Sequence, residues 1–217
     1  MPWTYVLWDW NGTLLNDVQT AVAVNNDIFP GFGIKPLKDV AEYHRLFRFP
    51  IREYYRDLGV TDDIFPDVAN AWMRGYMEKS ETCLLQPHAL EALEAFSQAG
   101  FGQAILSASK EEYLHHQIAR FPIGRYFQAA LGLSHIYATS KVDLAKGFLK
   151  DHGVDPRQAV FLGDTLHDAE VAGAIGCDCL LIEGGHHARP MLLEAKVPVF
   201  ENLQKAKEYI LQETSRV

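Results

Sequence analysis

Near its start the chain carries a short apolar run, Tyr5-Val6-Leu7-Trp8, that ends on Asp9 and a glycine-containing turn. Such a run predicts a strand buried on both faces of a parallel sheet. From residue 16 to about residue 85 the spacing becomes helical. Val18, Ala21, Val22 and Val24 open a first helix that Pro30, Gly31 and Gly33 close. Further helices are expected over residues 37–46, 51–58 and 67–77, the last with Val68, Ala71, Trp72 and Tyr76 at helical spacing as packing residues. From Pro87 helices and strands alternate. Helices are predicted over residues 89–98, 111–121, 142–152, 169–174 and 203–211, and strands over 102–106, 129–131, 159–162, 179–182 and 197–200. That alternation implies a parallel sheet with right-handed crossovers. The expected fold is α/β, a Rossmann-like parallel sheet flanked by helices over residues 1–15 and 86–217, with a small all-helical cap inserted over residues 16–85.

A length of 217 residues with 48% hydrophobic content suits one ordinary domain with a modest insertion and supports a buried core. The net charge of −8 argues against an electrostatic nucleic-acid binder, so a phosphate ligand needs locally placed cations. Cys83, Cys177 and Cys179 are odd in number and have no matching Cys or His pair at ligand spacing, so they are read as small buried thiols. No stretch approaches bilayer length and no basic-then-apolar leader is seen, giving the expectation of a soluble, cytoplasmic protein without an obligate protein partner.

Chemistry-bearing residues cluster where the predicted strands end. They are Asp9 with Asn11 and Thr13, Ser107 after Ala104-Ile105-Leu106, Lys141 before a helix, and Gly163-Asp164 with Asp168. Open α/β sheets bind ligands outside the carboxyl ends of their strands, so these groups are expected in one crevice. A nucleophilic carboxylate, a hydroxyl, an ammonium and further carboxylates suit phosphoryl transfer. A magnesium ion and a lysine can neutralise the transferring group there, while hydroxyl and backbone N–H donors bind its oxygens. Asp9, Asp164 and Asp168 are the candidate carboxylate ligands, and the backbone carbonyl of Asn11 can join them.

With these residues in view, the chain resembles the haloacid dehalogenase superfamily over essentially its whole length. The first motif, Asp-x-Asp-x-Thr, is represented by Asp9-Trp10-Asn11-Gly12-Thr13, and the second by Ser107 in Leu106-Ser107-Ala108-Ser109-Lys110. Lys141 best matches the third motif, ahead of Lys146, and Gly163-Asp164-Thr165-Leu166-His167-Asp168 the fourth. The helical stretch is similar to the cap of the phosphoglycolate phosphatase and beta-phosphoglucomutase branch, with Arg45-Leu46-Phe47-Arg48-Phe49-Pro50-Ile51 as its loop and helix start. The resemblance implies a Mg2+-dependent phosphatase for a small phosphorylated metabolite, with Asp9 as the nucleophile that becomes an aspartyl-phosphate. It implies that Ser107 and Lys141 bind the phosphoryl group with Ala108 and Thr13 beside them, that Asp164 and Asp168 anchor the metal, and that Arg45, Arg48 and Arg52 are candidates to meet an anionic substrate.

One position departs from the pattern. The family's usual residue at position 11 is an aspartate that protonates the leaving oxygen and later activates water, and Asn11 cannot titrate. Such general acid–base help is worth ~10²- to 10⁴-fold, so unactivated esters are expected to react slowly, whereas acyl or aryl phosphates need no proton on departure. His167, His186 and His187 are the candidate substitutes. The alternatives are a catalytically weak phosphate-binding or regulatory protein, and a phosphonatase-like hydrolase with Lys35, Lys38 or Lys79 as its Schiff-base lysine. Dehalogenase and mutase activities are disfavoured: the first has no need of the acidic pair, and the second depends on the missing acid.

Overall fold

The computed structural model describes residues 3–133 and 141–216. Strand β1 (Tyr5–Trp8) leads through the Asp9 turn to β2 (Leu15–Asn16). Four helices follow, α1 (Val18–Ile28), α2 (Val40–Leu46), α3 (Ile51–Asp57) and α4 (Phe65–Ser80), and the chain returns through β3 (Leu84–Leu85). It continues with α5 (Ala89–Gln98), β4 (Gly102–Lys110), α6 (Glu111–Ile118), β5 (Ala129–Leu133) and α7 (Val142–Asp151). The remainder is β6 (Ala159–Gly163), α8 (Leu166–Ile175), β7 (Asp178–Ile182), α9 (Arg189–Leu192), β8 (Val199–Phe200) and α10 (Leu203–Ser215). β2 and β3 form an antiparallel pair, Leu15 against Leu85 and Asn16 against Leu84. The fully helical reading of residues 16–85 is corrected there. A two-residue ladder is too short to leave an alternation signal in the sequence.

Six parallel strands lie in the order β5-β4-β1-β6-β7-β8. The alternation of side chains along each strand sorts them onto two faces. Val6, Trp8, Ile105, Val160 and Leu162 pack with α5, α6 and α10, while Tyr5, Leu7, Ala104, Leu106 and Phe161 pack with α7 and α8. Both faces are therefore dry, which explains why β1 reads as an unbroken apolar run. Because β4 and β6 flank β1, the chain reverses direction across the sheet there, and the crevice at the carboxyl end of β1 is the switch point at which α/β sheets bind ligands. The cap helices have their own apolar cluster, including Val22, Phe29, Tyr43, Tyr54, Phe65 and Val68.

Capping explains where two predicted boundaries move. α2 starts at Val40 rather than three residues earlier because the Asp39 side chain accepts from Glu42 N, while Leu37 is held in a loop by the Asn26 amide. α8 starts at Leu166 because Thr165 and Asp168 form a capping box. Replacing Asp39 by alanine is expected to cost about 1 kcal/mol of unfolding free energy through loss of the α2 cap, read as a lower urea midpoint at unchanged m-value.

Candidate active site

Parallel pairing of β1 with β4 and β6 fixes which residues meet. Asp9 follows β1 and its N–H bonds to Leu162 O, Ser107 lies in β4 beyond the Trp8–Ile105 pair, and Asp164 follows the last residue of β6. Lys141, at the start of α7, reaches under them: Nζ donates to Asp9 Oδ1 at 2.5 Å and to Leu106 O at 3.1 Å, and lies 2.9 Å from Asp168 Oδ1. One oxygen from each of Asp9, Asp164 and Asp168 falls within 4.8 Å of the others. The predicted nucleophile, hydroxyl, lysine and acidic pair are thus brought together.

The loop geometry around Asp164 explains two of the glycines. Thr13 Oγ1 donates to Asp164 Oδ1 at 2.6 Å, and His186 N to Oδ2 at 2.7 Å. Gly12 has φ of 78°, and a Cβ there would lie 2.2 Å from Asp164 Oδ2, as would one on Gly185. Any side chain at either position would displace the carboxylate. Thr13 is fully buried and serves Asp164, so its expected place among substrate contacts is replaced by a positioning role. Asp168 Oδ2 accepts from Asp164 N, Thr165 N and Thr165 Oγ1, tying the acidic loop to the start of α8.

The charges do not balance within the protein. Burial raises the Asp9 carboxyl well above the carboxylate range; Lys141 opposes this, and Asp168 and Asp164 add to the rise. Burial likewise lifts Asp164 to about 6 against the pull of the nearby His186, with Asp168 adding to it. Asp168 goes the other way, because Lys141 and the Thr165 hydroxyl outweigh its burial. Three buried carboxylates facing one ammonium are short of positive charge, and a hard oxygen donor set of this kind fits a divalent cation.

Asn11 is the hub of a polar network that the sequence does not announce. Its Nδ2 donates to Asp17 Oδ2 at 2.8 Å and to the Tyr76 hydroxyl at 2.6 Å, while its Oδ1 accepts from Ser109 Oγ at 2.7 Å. Asp17 also accepts from Tyr76 OH at 2.5 Å and Gly12 N at 2.8 Å, and its Oδ1 lies 3.3 Å from His186 Nε2. Burial pushes Asp17 up, but the His186 charge and these hydrogen bonds hold it below its ordinary value. An ionised carboxylate with both oxygens engaged can only accept, so Asp17 is no proton donor in place of the missing acid. An aspartate at position 11 would set two carboxylates against each other. Asn11 and Asp17 are therefore matched to each other.

The three candidate histidines separate. His186 is buried between Asp17 and the Tyr43 hydroxyl, 2.8 Å from Nδ1, so both ring nitrogens are engaged. His187 Nδ1 accepts from Leu166 N, and burial with the nearby His186 lowers its pKa to about 4. His167 lines the cavity, stacked on Phe49 with ring centroids 4.8 Å apart, and its Nε2 is buried without a hydrogen-bond partner.

A cavity of about 160 Å³ lies between cap and core over Asp9, Asn11, Ser107, Ala108 and Lys141. Arg45, Arg48 and Arg52 are not brought to it. All three are exposed, Arg48 pairs with Asp57 at 2.7 Å and Arg52 with Asp62 at 2.6 Å. The helix periodicity of α2 and α3 turns their apolar side inward and leaves Arg45 and Arg52 on the solvent side, while Arg48 lies in the connection between the two helices. Lys35, Lys38 and Lys79 are exposed too, and none lines the cavity. Trp72 and Tyr76, read from sequence as packing residues, do line it. Sequence reasoning missed Asp17, Tyr43, Tyr76 and Ser109. Asp17 has the look of an ordinary helix cap before Val18, yet its side chain makes no cap bond and turns back to Gly12.

Fold and site together define a capped α/β enzyme with an acidic centre at the end of its first strand. The chain belongs to the haloacid dehalogenase-like hydrolase family, whose model matches residues 6–182. It is similar to a phosphoglycolate phosphatase of Pseudomonas savastanoi pv. phaseolicola, 28% identical over 210 residues that span 92% of this chain and 77% of the relative. Among solved structures, a putative phosphoglycolate phosphatase from Lactobacillus delbrueckii subsp. bulgaricus superposes with a TM-score of 0.84 at 18% identity, over 97% of this chain and 99% of that one. CbbY from Rhodobacter sphaeroides, in complex with phosphate, gives 0.70 at 19%, over 92% and 94%. At those identities the structural likeness shows the fold.

The His186 ion pair makes a pH prediction. Burial lowers its pKa, but Asp17 first, then Asp164 and Asp9, raise it to about 9; Tyr43, His44 and His187 are its other polar neighbours. Its contribution is complete below the ordinary histidine value of about 6.5 and is lost as pH rises through about 9. The metal-free protein is expected to lose stability across that window, and His186→Gln to flatten the loss, both followed by urea unfolding at a series of pH values.

Proposed function

We propose that the chain is a Mg2+-dependent phosphatase that hydrolyses a small phosphate monoester through an aspartyl-phosphate at Asp9. The observation that carries the reading is the convergence of Asp9, Lys141, Asp164 and Asp168 at the switch point of the sheet. The family assignment and the phosphoglycolate phosphatase relatives support it. Asp9 and Asp164, with the Asn11 backbone carbonyl, would hold Mg2+, which supplies positive charge against the phosphoryl oxygens. Asp168 contributes charge while its own oxygens hold Lys141 and the Thr165 turn.

One Asp9 oxygen is fixed on Lys141, and the other forms the new bond to phosphorus. Lys141 and the Ser107 hydroxyl neutralise and orient the transferring group. The leaving oxygen departs with its electron pair and no proton from the enzyme, because Asn11 cannot donate one. Water then attacks phosphorus, the Asp9–phosphorus bond breaks, and the carboxylate is regenerated. This second step also lacks the usual base, so the phospho-enzyme is expected to accumulate. We infer a cytoplasmic address, which the three free thiols support.

Asn11 also favours the second reading, a phosphate-binding protein with little turnover, since its amide is fully engaged by Asp17, Tyr76 and Ser109. Rapid mixing with 4-nitrophenyl phosphate separates the two. The phosphatase reading expects a burst of about one nitrophenol per active site followed by a slow steady rate. EDTA should abolish both phases, added Mg2+ should restore them, and Asp9→Asn should remove them. Binding of phosphate without a burst or turnover supports the binding protein.

The matched pair at positions 11 and 17 gives a further expectation. Asn11→Asp alone sets a carboxylate against Asp17 and should lower stability, whereas Asn11→Asp with Asp17→Asn exchanges the partners. The double variant is expected to shorten the burst and raise steady-state turnover of alkyl phosphates by ~10²-fold, the lower end of the range for general acid–base help. Unchanged turnover in the folded double variant would remove the missing proton as the cause.

A further inference from the structure

Much of the cavity's lining beyond the acidic centre is aromatic or apolar. The cap contributes Phe49, Ile51, Trp72 and Met73, and the core contributes Tyr113 and His167. The rings are held in place by other rings: Trp72 stacks on Tyr76 at 4.6 Å and 11° between planes, and Phe49 on His167 at 4.8 Å and 23°. The lysines that line the cavity already face carboxylates, Lys141 toward Asp9 and Asp168, and Lys110 toward Glu112 at 2.7 Å. Among the described residues no arginine lines it. A substrate with a second anionic group, such as the carboxylate of phosphoglycolate, finds no cation there without a partner to lose.

The cavity, about 160 Å³, has to take the phosphoryl group over Asp9 as well as the leaving group, so the leaving group is small. Aromatic rings in its lining favour a flat ring over a flexible alkyl chain. Its lysines and His186 already face carboxylates, which disfavours a sugar bisphosphate.

We propose that the site selects an aryl phosphate, a monoester of a single-ring phenol whose ring packs on the aromatic lining that includes Phe49 and Trp72 while its phosphoryl group faces Asp9. The inference rests on the phosphatase reading and deepens it. Asp9 forms the bond to phosphorus, the phosphorus–aryl oxygen bond breaks, and the phenoxide leaves with the electron pair and takes its proton from water. A phenoxide is the conjugate base of an acid of pKa about 10. An alkoxide is far more basic, so the aromatic lining and the amide at position 11 call for the same leaving group.

Non-hydrolysable phosphonates test recognition apart from chemistry. Calorimetric titration of the Mg2+-loaded protein is expected to show phenylphosphonate binding at least tenfold tighter than methylphosphonate and phosphonoacetate. Trp72→Ala should reduce that preference to less than threefold, and Met73→Arg should turn it toward phosphonoacetate by adding an unpaired cation to the wall. Phosphonoacetate binding as tightly as phenylphosphonate, no advantage of phenyl over methyl, or no binding at all overturns the proposal. These ligands are not turned over, so loss of the burst in Asp9→Asn bears on the phosphatase scheme alone.

Discussion

Three carboxylates and one ammonium buried together at the end of a strand form the constraint on which this molecule depends. Charges of one sign removed from water are tolerated only when paired, and here the pairing is incomplete within the protein. The surrounding structure exists to keep the arrangement in place. Thr13 and the backbone of His186 grip Asp164, the Thr165 turn grips Asp168, and Lys141 bridges Asp9 and Asp168. The dry sheet beneath supplies the rigidity that such close contacts need. A hard oxygen donor set short of positive charge fits a divalent cation.

Around this centre runs a second polar system that joins core to cap. Asn11 and His186 belong to the core, Tyr43 and Tyr76 to the cap helices, and Asp17 lies between them where the chain enters α1. Asn11 is half-buried, the other members are buried, and all are hydrogen-bonded or ion-paired, so shifting the cap away from the core exposes or breaks several bonds at once. Asn11, which cannot titrate, thus also ties this junction together, and the matched exchange of Asn11 and Asp17 probes both properties.

The parallel sheet and its strand ends were legible in the sequence, because each depends on local pattern. An apolar run followed by Asp9, and strand ends at Ser107 and Gly163-Asp164, need only the rule that ligands meet the carboxyl ends of such strands. The boundary of α2 was less legible, since Asp39 and Asn26 both compete for its first turn. The arginines of residues 45–52 were misplaced for a related reason: charge marks a residue as polar but not the direction in which its helix faces.

The sequence by itself determined which residue types stand near the strand ends: an aspartate, a lysine, an acidic loop, and an amide at position 11. Only the tertiary structure decided how that amide is held and what the cavity can accept. Asp17, Tyr76, Tyr43 and His186 lie on four separate stretches of chain, and their hydrogen bonds exist only once the cap is packed on the core. The aromatic wall likewise comes from side chains that a helical pattern identifies as core. Periodicity reports that a face is apolar, and only packing tells whether that face meets another helix or the edge of a substrate pocket.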